Sequence, residues 1–82
     1  MTGRPGLPDV EVFTQHHCAS CRQAENYLRE RGVVFTSRNV GSDREALNEI
    51  FQRGFMTTPV IRIGDTWIGG FKRREIERLL AN

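Results

Sequence analysis

Val10-Glu11-Val12-Phe13-Thr14 is followed at once by Gln15-His16-His17 and then by Cys18-Ala19-Ser20-Cys21. The first five residues are mostly β-branched or aromatic and form a short run, which predicts a strand. Gln15-His16-His17 is a polar hinge. From Ala19 to Arg31 the spacing turns helical: Cys21, Ala24, Tyr27 and Leu28 share one face, while Arg22, Glu25, Arg29 and Glu30 point elsewhere. Gly32 closes that helix in the left-handed cap position that glycine tolerates best. Both cysteines therefore sit where a strand turns into a helix.

Downstream, Val33-Val34-Phe35-Thr36 opens a second strand that runs to about Val40. Ser42-Asp43-Arg44-Glu45 places Ser42 and Glu45 at capping-box spacing and starts a second helix. Its buried stripe is expected to be Leu47, Ile50 and Phe51, with Gly54 as the stop. Pro59 forces extended geometry on the residue before it. Val60 to Ile63 is a strand, Gly64-Asp65 a tight turn, and Thr66-Trp67-Ile68-Gly69 the hairpin partner. A last helix from Lys72 to Leu80 buries Ile76, Leu79 and Leu80. Phe13, Phe35, Phe51 and Phe55 are expected in or near the core, and Trp67 on one sheet face. The order β-α-β-α-β-β-α predicts an α/β fold, a four-stranded mixed sheet flanked by three helices. Its first βαβ unit is a parallel pair with a right-handed crossover.

Composition narrows the function classes. The 82 residues allow one small domain, here residues 9–82, preceded by a flexible tail over residues 1–8. A net charge of +2 with 27% charged residues is that of an ordinary soluble protein. No apolar run approaches the roughly 18 residues of a transmembrane helix, and the first ten residues hold no secretory h-region. No membrane role, a cytoplasmic location and a monomer are therefore expected. Lys72, Arg73, Arg74 and Arg78 are interleaved with Glu75 and Glu77 and lack a stacking platform, so no nucleic-acid partner is expected.

The two cysteines cannot form a disulfide framework. Three-residue spacing puts their Cα atoms inside the disulfide range of about 4.4–6.8 Å. The closed loop is tiny, so a bridge there stabilises by only about 2 kcal/mol in the chain-entropy model. A reversible redox pair fits that position better than a staple. Cys18 lies at the helix start, where unpaired N–H groups and the dipole favour a thiolate. Cys21, one turn on and facing the core, stays a thiol until needed. Cys18 then attacks a substrate disulfide and Cys21 resolves the mixed disulfide. The alternative is a metal or iron–sulfur module on the same cysteines. Zinc, however, wants four ligands, and no second Cys pair or His-x₃₋₅-His follows, so no metal site is assigned.

Val12-Phe13-Thr14, Cys18-Ala19-Ser20-Cys21, Thr58-Pro59-Val60 and Ile68-Gly69-Gly70-Phe71 together resemble the glutaredoxin class of the thioredoxin superfamily over residues 10–80. The resemblance implies a thioredoxin-like (glutaredoxin) fold with sheet order 2-1-3-4 and a cis peptide before Pro59 facing the dithiol. It also implies a thiol–disulfide oxidoreductase with no bound cofactor. Its substrate-binding residues would be Thr58, Pro59, Gly69, Gly70, Phe71 and Lys72. Residue 58 would offer its backbone to the bound peptide or glutathione like an added strand.

Two branches of the class differ in electron donor. Glutathione-dependent glutaredoxins carry Cys-Pro-Tyr-Cys, an upstream Lys, and an acidic residue after the Gly-Gly pair. Here Phe71-Lys72-Arg73 follows Gly69-Gly70, and a cation there repels the glutathione amine. NrdH-type redoxins, reduced by thioredoxin reductase, are similar in having Gly-Phe and a basic residue before the last helix, as in Gly70-Phe71-Lys72. Their usual dithiol is not Cys-Ala-Ser-Cys. The partners implied are a disulfide-containing protein substrate and either glutathione or thioredoxin reductase, the choice being open at this level.

Overall fold

The computed structural model describes residues 9–81, so the tail expected over residues 1–8 lies outside the described residues. The elements are β1 (Val10–Thr14), α1 (Ala19–Glu30), β2 (Thr36–Asn39), α2 (Arg44–Gln52), β3 (Val60–Ile63), β4 (Thr66–Gly69) and α3 (Arg73–Leu80). The strands form one sheet in the order β2-β1-β3-β4. β1 runs parallel to β2 and antiparallel to β3, which pairs antiparallel with β4. This is the expected mixed sheet with its three helices. The β3–β4 turn is tight because Gly64 takes a φ of +61°.

Alternation along β1 gives the sheet two buried faces. Val10 and Val12 pack with Ile61, Ile63 and Ile68 against Ala24, Tyr27 and Leu28 of α1 and Ile76 of α3. Phe13 points the other way and packs with Val40, Val60, Ala46 and Ile50, the last two from α2. Each aliphatic side chain buried in this way is worth roughly 1.5–3 kcal/mol against exposure. β1, the central strand that delivers the dithiol, is thus clamped from both sides.

Three sequence-based expectations need correction. β2 begins at Thr36, not Val33, because pairing with β1 starts at Glu11↔Thr36. The preceding residues carry the chain from the end of α1, where Val33 N–H donates to Leu28 O at 2.9 Å, to the sheet edge, leaving Val34 53% exposed. The N-cap of α2 is Asp43 rather than Ser42: Asp43 Oδ1 accepts the Ala46 N–H at 3.1 Å. Phe51 is 51% exposed, because α2 meets the sheet through Ala46 and Ile50, and Phe51 lies a turn-edge away from that line. Trp67 does pack on the sheet, its ring 5.4 Å from that of Phe13.

Beside the α2 core the same sheet face carries charge. Arg62 Nε donates to Glu11 Oε1 at 2.9 Å, and Arg38 Nη1 donates to Glu49 Oε2 at 2.5 Å and sits 3.7 Å from Glu11 Oε2. Burial alone would depress the Arg38 pKa. The Glu49 hydrogen bond and charge, with Glu11 and Asp43, outweigh it and hold the guanidinium above its usual value.

Candidate functional site

β1 ends at Thr14, and the chain reverses through the polar hinge with His17 at φ +58°. That left-handed turn leaves Cys18 extended, at φ −112° and ψ 100°, as the N-cap of α1. Cys18 Sγ accepts the backbone N–H of Cys21 at 3.2 Å, one of the donors that every helix start leaves unpaired. The first turn of α1 holds no acidic residue to oppose negative charge there. Cys18 is half-buried and Cys21 fully buried, so a partner can reach only the first sulfur directly. The two are disulfide-bonded, with Cα atoms 5.2 Å apart.

The strand register explains what faces them. Antiparallel pairing of Phe13 with Val60 carries the Thr58–Pro59 segment past the end of β1 to the dithiol. The Thr58–Pro59 bond is cis and Pro59 is fully buried, as the family resemblance implies. Thr58 Oγ1 lies 3.7 Å and Thr58 O 3.8 Å from Cys18 Sγ, with Ser20 Oγ at 3.6 Å. An open cleft of about 620 Å³ borders the sulfur, lined among others by Gln15, His16, Gln23, Met56 and Thr57.

The other expected binding residues lie one strand further on. Gly69 pairs with Val60, and Gly70 N–H donates to Pro59 O at 2.8 Å. A Cβ on Gly69 would meet the Phe55 ring at 2.9 Å, so the corner needs that glycine for close packing. Phe71 packs edge-on against Tyr27 at 5.6 Å, in the α1–α3 core. Lys72 is the exposed N-cap of α3 and makes no side-chain cap bond. The structure thus brings Thr58 and Pro59 to Cys18, with Gly69 and Gly70 behind them, while the cleft lining does not extend to Phe71 or Lys72.

Gln15, Ser20 and Met56 join the site without a binding role that the sequence predicts. Gln15 is a hinge residue in sequence, yet it touches Thr58 across 43 positions. Met56 is 82% exposed at the cleft, and its place three residues before Pro59 was the available signal. Among the described residues no group of three or more His, Cys, Asp or Glu side chains is arranged to hold a metal ion.

A partly exposed cysteine capping a helix, with a buried second cysteine one turn on, makes this a thiol–disulfide oxidoreductase on the thioredoxin fold. The glutaredoxin family model matches residues 10–68, and the chain belongs to the glutaredoxin family. It is similar to the glutaredoxin-like protein NrdH of Lactococcus lactis, with 27% identity over 70 residues, 85% of this chain and 97% of that one. The NrdH protein of Escherichia coli is 30% identical over 70 residues, 85% of this chain and 86% of that one. The solved structure of the Escherichia coli NrdH-redoxin, described there as glutaredoxin-like with a thioredoxin-like activity profile, superposes with a TM-score of 0.81. It is 30% identical, and the match covers 87% of this chain and 93% of that one.

Proposed function

We propose that this redoxin reduces protein disulfides with Cys18 as the attacking sulfur and Cys21 as the resolving one, and that a thioredoxin reductase restores the dithiol. The difference in exposure between the two sulfurs carries the reading. Cys18 thiolate attacks one sulfur of the substrate disulfide, forming a mixed disulfide and releasing the other sulfur as thiolate. Cys21 then loses its proton and attacks Cys18 Sγ, which frees the second substrate thiolate and leaves the Cys18–Cys21 bridge. Two electrons from the donor reopen that bridge. Thr58 offers backbone beside the sulfur for an extended substrate segment, and Gly69 and Gly70 keep that edge low.

The choice of donor is supported by the cleft. Its lining includes no Lys, Arg, Asp or Glu, whereas glutathione brings two carboxylates and an amine that need charged partners. The likeness to NrdH proteins points the same way. A dithiol that must be kept reduced belongs in the cytoplasm.

A disulfide-reduction assay tests the roles. Cys18→Ser should abolish turnover, and Cys21→Ser should accumulate a mixed disulfide with substrate. Equal residual activity in both variants would refute the assignment. Supplying NADPH with thioredoxin reductase should sustain turnover, and NADPH with glutathione and its reductase should not. The reverse result would overturn the donor.

A further inference from the structure

Among the described residues the groups within hydrogen-bonding reach of Cys18 Sγ are neutral: Cys21 N–H, Ser20 Oγ, and two atoms of Thr58. The two Thr58 atoms act in opposite senses. The carbonyl oxygen, 3.8 Å from the sulfur, only accepts and so favours a protonated thiol. The hydroxyl, at 3.7 Å, can donate and so favours the thiolate. It carries a single proton, however, and Gln15 Oε1 lies 3.4 Å from the same Oγ1 and competes for it. Gln15 is therefore placed to decide what Thr58 presents to Cys18.

We infer that Gln15 is a positioning residue for the attacking thiolate, acting through the Thr58 hydroxyl. In the reduced protein its amide turns over and donates Nε2–H to Thr58 Oγ1, which leaves the Thr58 proton for Cys18 Sγ. The terminal torsion of a glutamine is broad and roughly two-fold, so both orientations are open without strain. A hydrogen bond to an ionised sulfur is charge-assisted and roughly twice as strong as a neutral one, so the thiolate outcompetes a neutral amide oxygen for the proton. When the Cys18–Cys21 bond forms and the charge is lost, the hydroxyl returns to Gln15, the arrangement of the oxidised protein. The inference rests on Cys18 being the attacking sulfur.

The test is the pH dependence of iodoacetamide alkylation in the fully reduced protein, with the modified cysteine mapped by mass spectrometry. Thr58→Val should lower the thiolate fraction of Cys18 at pH 7 by roughly three- to tenfold, and Thr58→Ser should restore it. Gln15→Leu should lower it by about twofold, less because Gln15 acts through a second group. In the Thr58→Val background, Gln15→Leu should change nothing more, since the hydroxyl it orients is gone. The inference is overturned by an equal Gln15→Leu effect in both backgrounds, by a gain of thiolate in Gln15→Leu, or by an unmoved profile in Thr58→Val. First alkylation at Cys21 would instead refute the attacking role of Cys18, so the two failures are told apart.

Discussion

The Tyr27 hydroxyl is buried and makes no hydrogen bond of ordinary geometry among the described residues, yet the Glu77 carboxylate lies near enough to act on it. The ring is well used: Phe71 packs against its edge, and Arg31 and Arg73 lie 4.5 and 5.4 Å from its centroid. Burial pushes the Tyr27 pKa above 10, an effect the Arg31 charge opposes and Glu77 reinforces. The neutral, protonated form is thus the one the fold prefers. Its contribution to stability is complete below the unfolded value of about 10 and is lost as pH rises through the higher folded value. Tyr27→Phe should remove that part of the alkaline loss and flatten the fall in stability above pH 10. Because the chain has a single tyrosine, tyrosinate absorbance measures the folded pKa directly, and a midpoint at or below 10 would contradict the placement. The burial of Tyr27 was legible from the i, i+3, i+4 spacing with Ala24 and Leu28. The Glu77 carboxylate beside its hydroxyl was not, since that depends on which residues α3 brings across.

At the scale of elements, the start of α2 separates two adjacent capping candidates. Ser42 and Asp43 both suit an N-cap, and the Ser42–Glu45 spacing favoured the first. The chain leaves β2 through a turn in which Ser42 N–H and Asp43 N–H both donate to Asn39 O, and this turn puts the Asp43 carboxylate over the open N–H of Ala46. Asp43→Ala should therefore cost about 1 kcal/mol in chemical denaturation, while Ser42→Ala should be near neutral. The reverse order would restore Ser42 as the cap. The displaced start of β2 and the exposure of Phe51 have a related cause. Propensity sees Val33-Val34-Phe35 as strand and periodicity sees Phe51 as buried, but where pairing begins and how wide a stripe α2 buries are decided by the neighbouring elements. The dithiol was legible because its chemistry is local, whereas the cis Pro59 opposite it and the glycine corner followed only from the family resemblance. The Gln15–Thr58 contact was not, because only the β1–β3 register brings those residues together.

Across the whole molecule, two cores on opposite sheet faces hold β1, and the Arg38 network ties its outer neighbour to α2. The Arg38 side chain is 17% exposed, so Arg38→Met leaves Glu11 and Glu49 partly buried without that cation and should cost roughly 1–3 kcal/mol. Arg78, 72% exposed beside Glu75, should cost less than about 0.5 kcal/mol when replaced by Met. Unfolding is followed through the single tryptophan, Trp67, which lies against Phe13 with Arg53 4.2 Å above its ring. Equal losses in the two variants would remove Arg38 as a link between β2 and α2. The same probe measures how the fold weighs the two redox states. Closing the short Cys18–Cys21 loop restricts the unfolded chain by an amount worth about 2 kcal/mol, which on its own makes the oxidised form that much more stable. On the proposed role of Cys18, the helix-start N–H and the Thr58 hydroxyl would stabilise its thiolate instead, a gain confined to the reduced folded protein. The two effects subtract. Oxidised and reduced protein should therefore differ at pH 7 by less than about 2 kcal/mol, and the gap should widen towards pH 5 as the proposed thiolate gain shrinks. A gap that stays at the full loop value at both pH values would mean that the surroundings of Cys18 do not favour its thiolate.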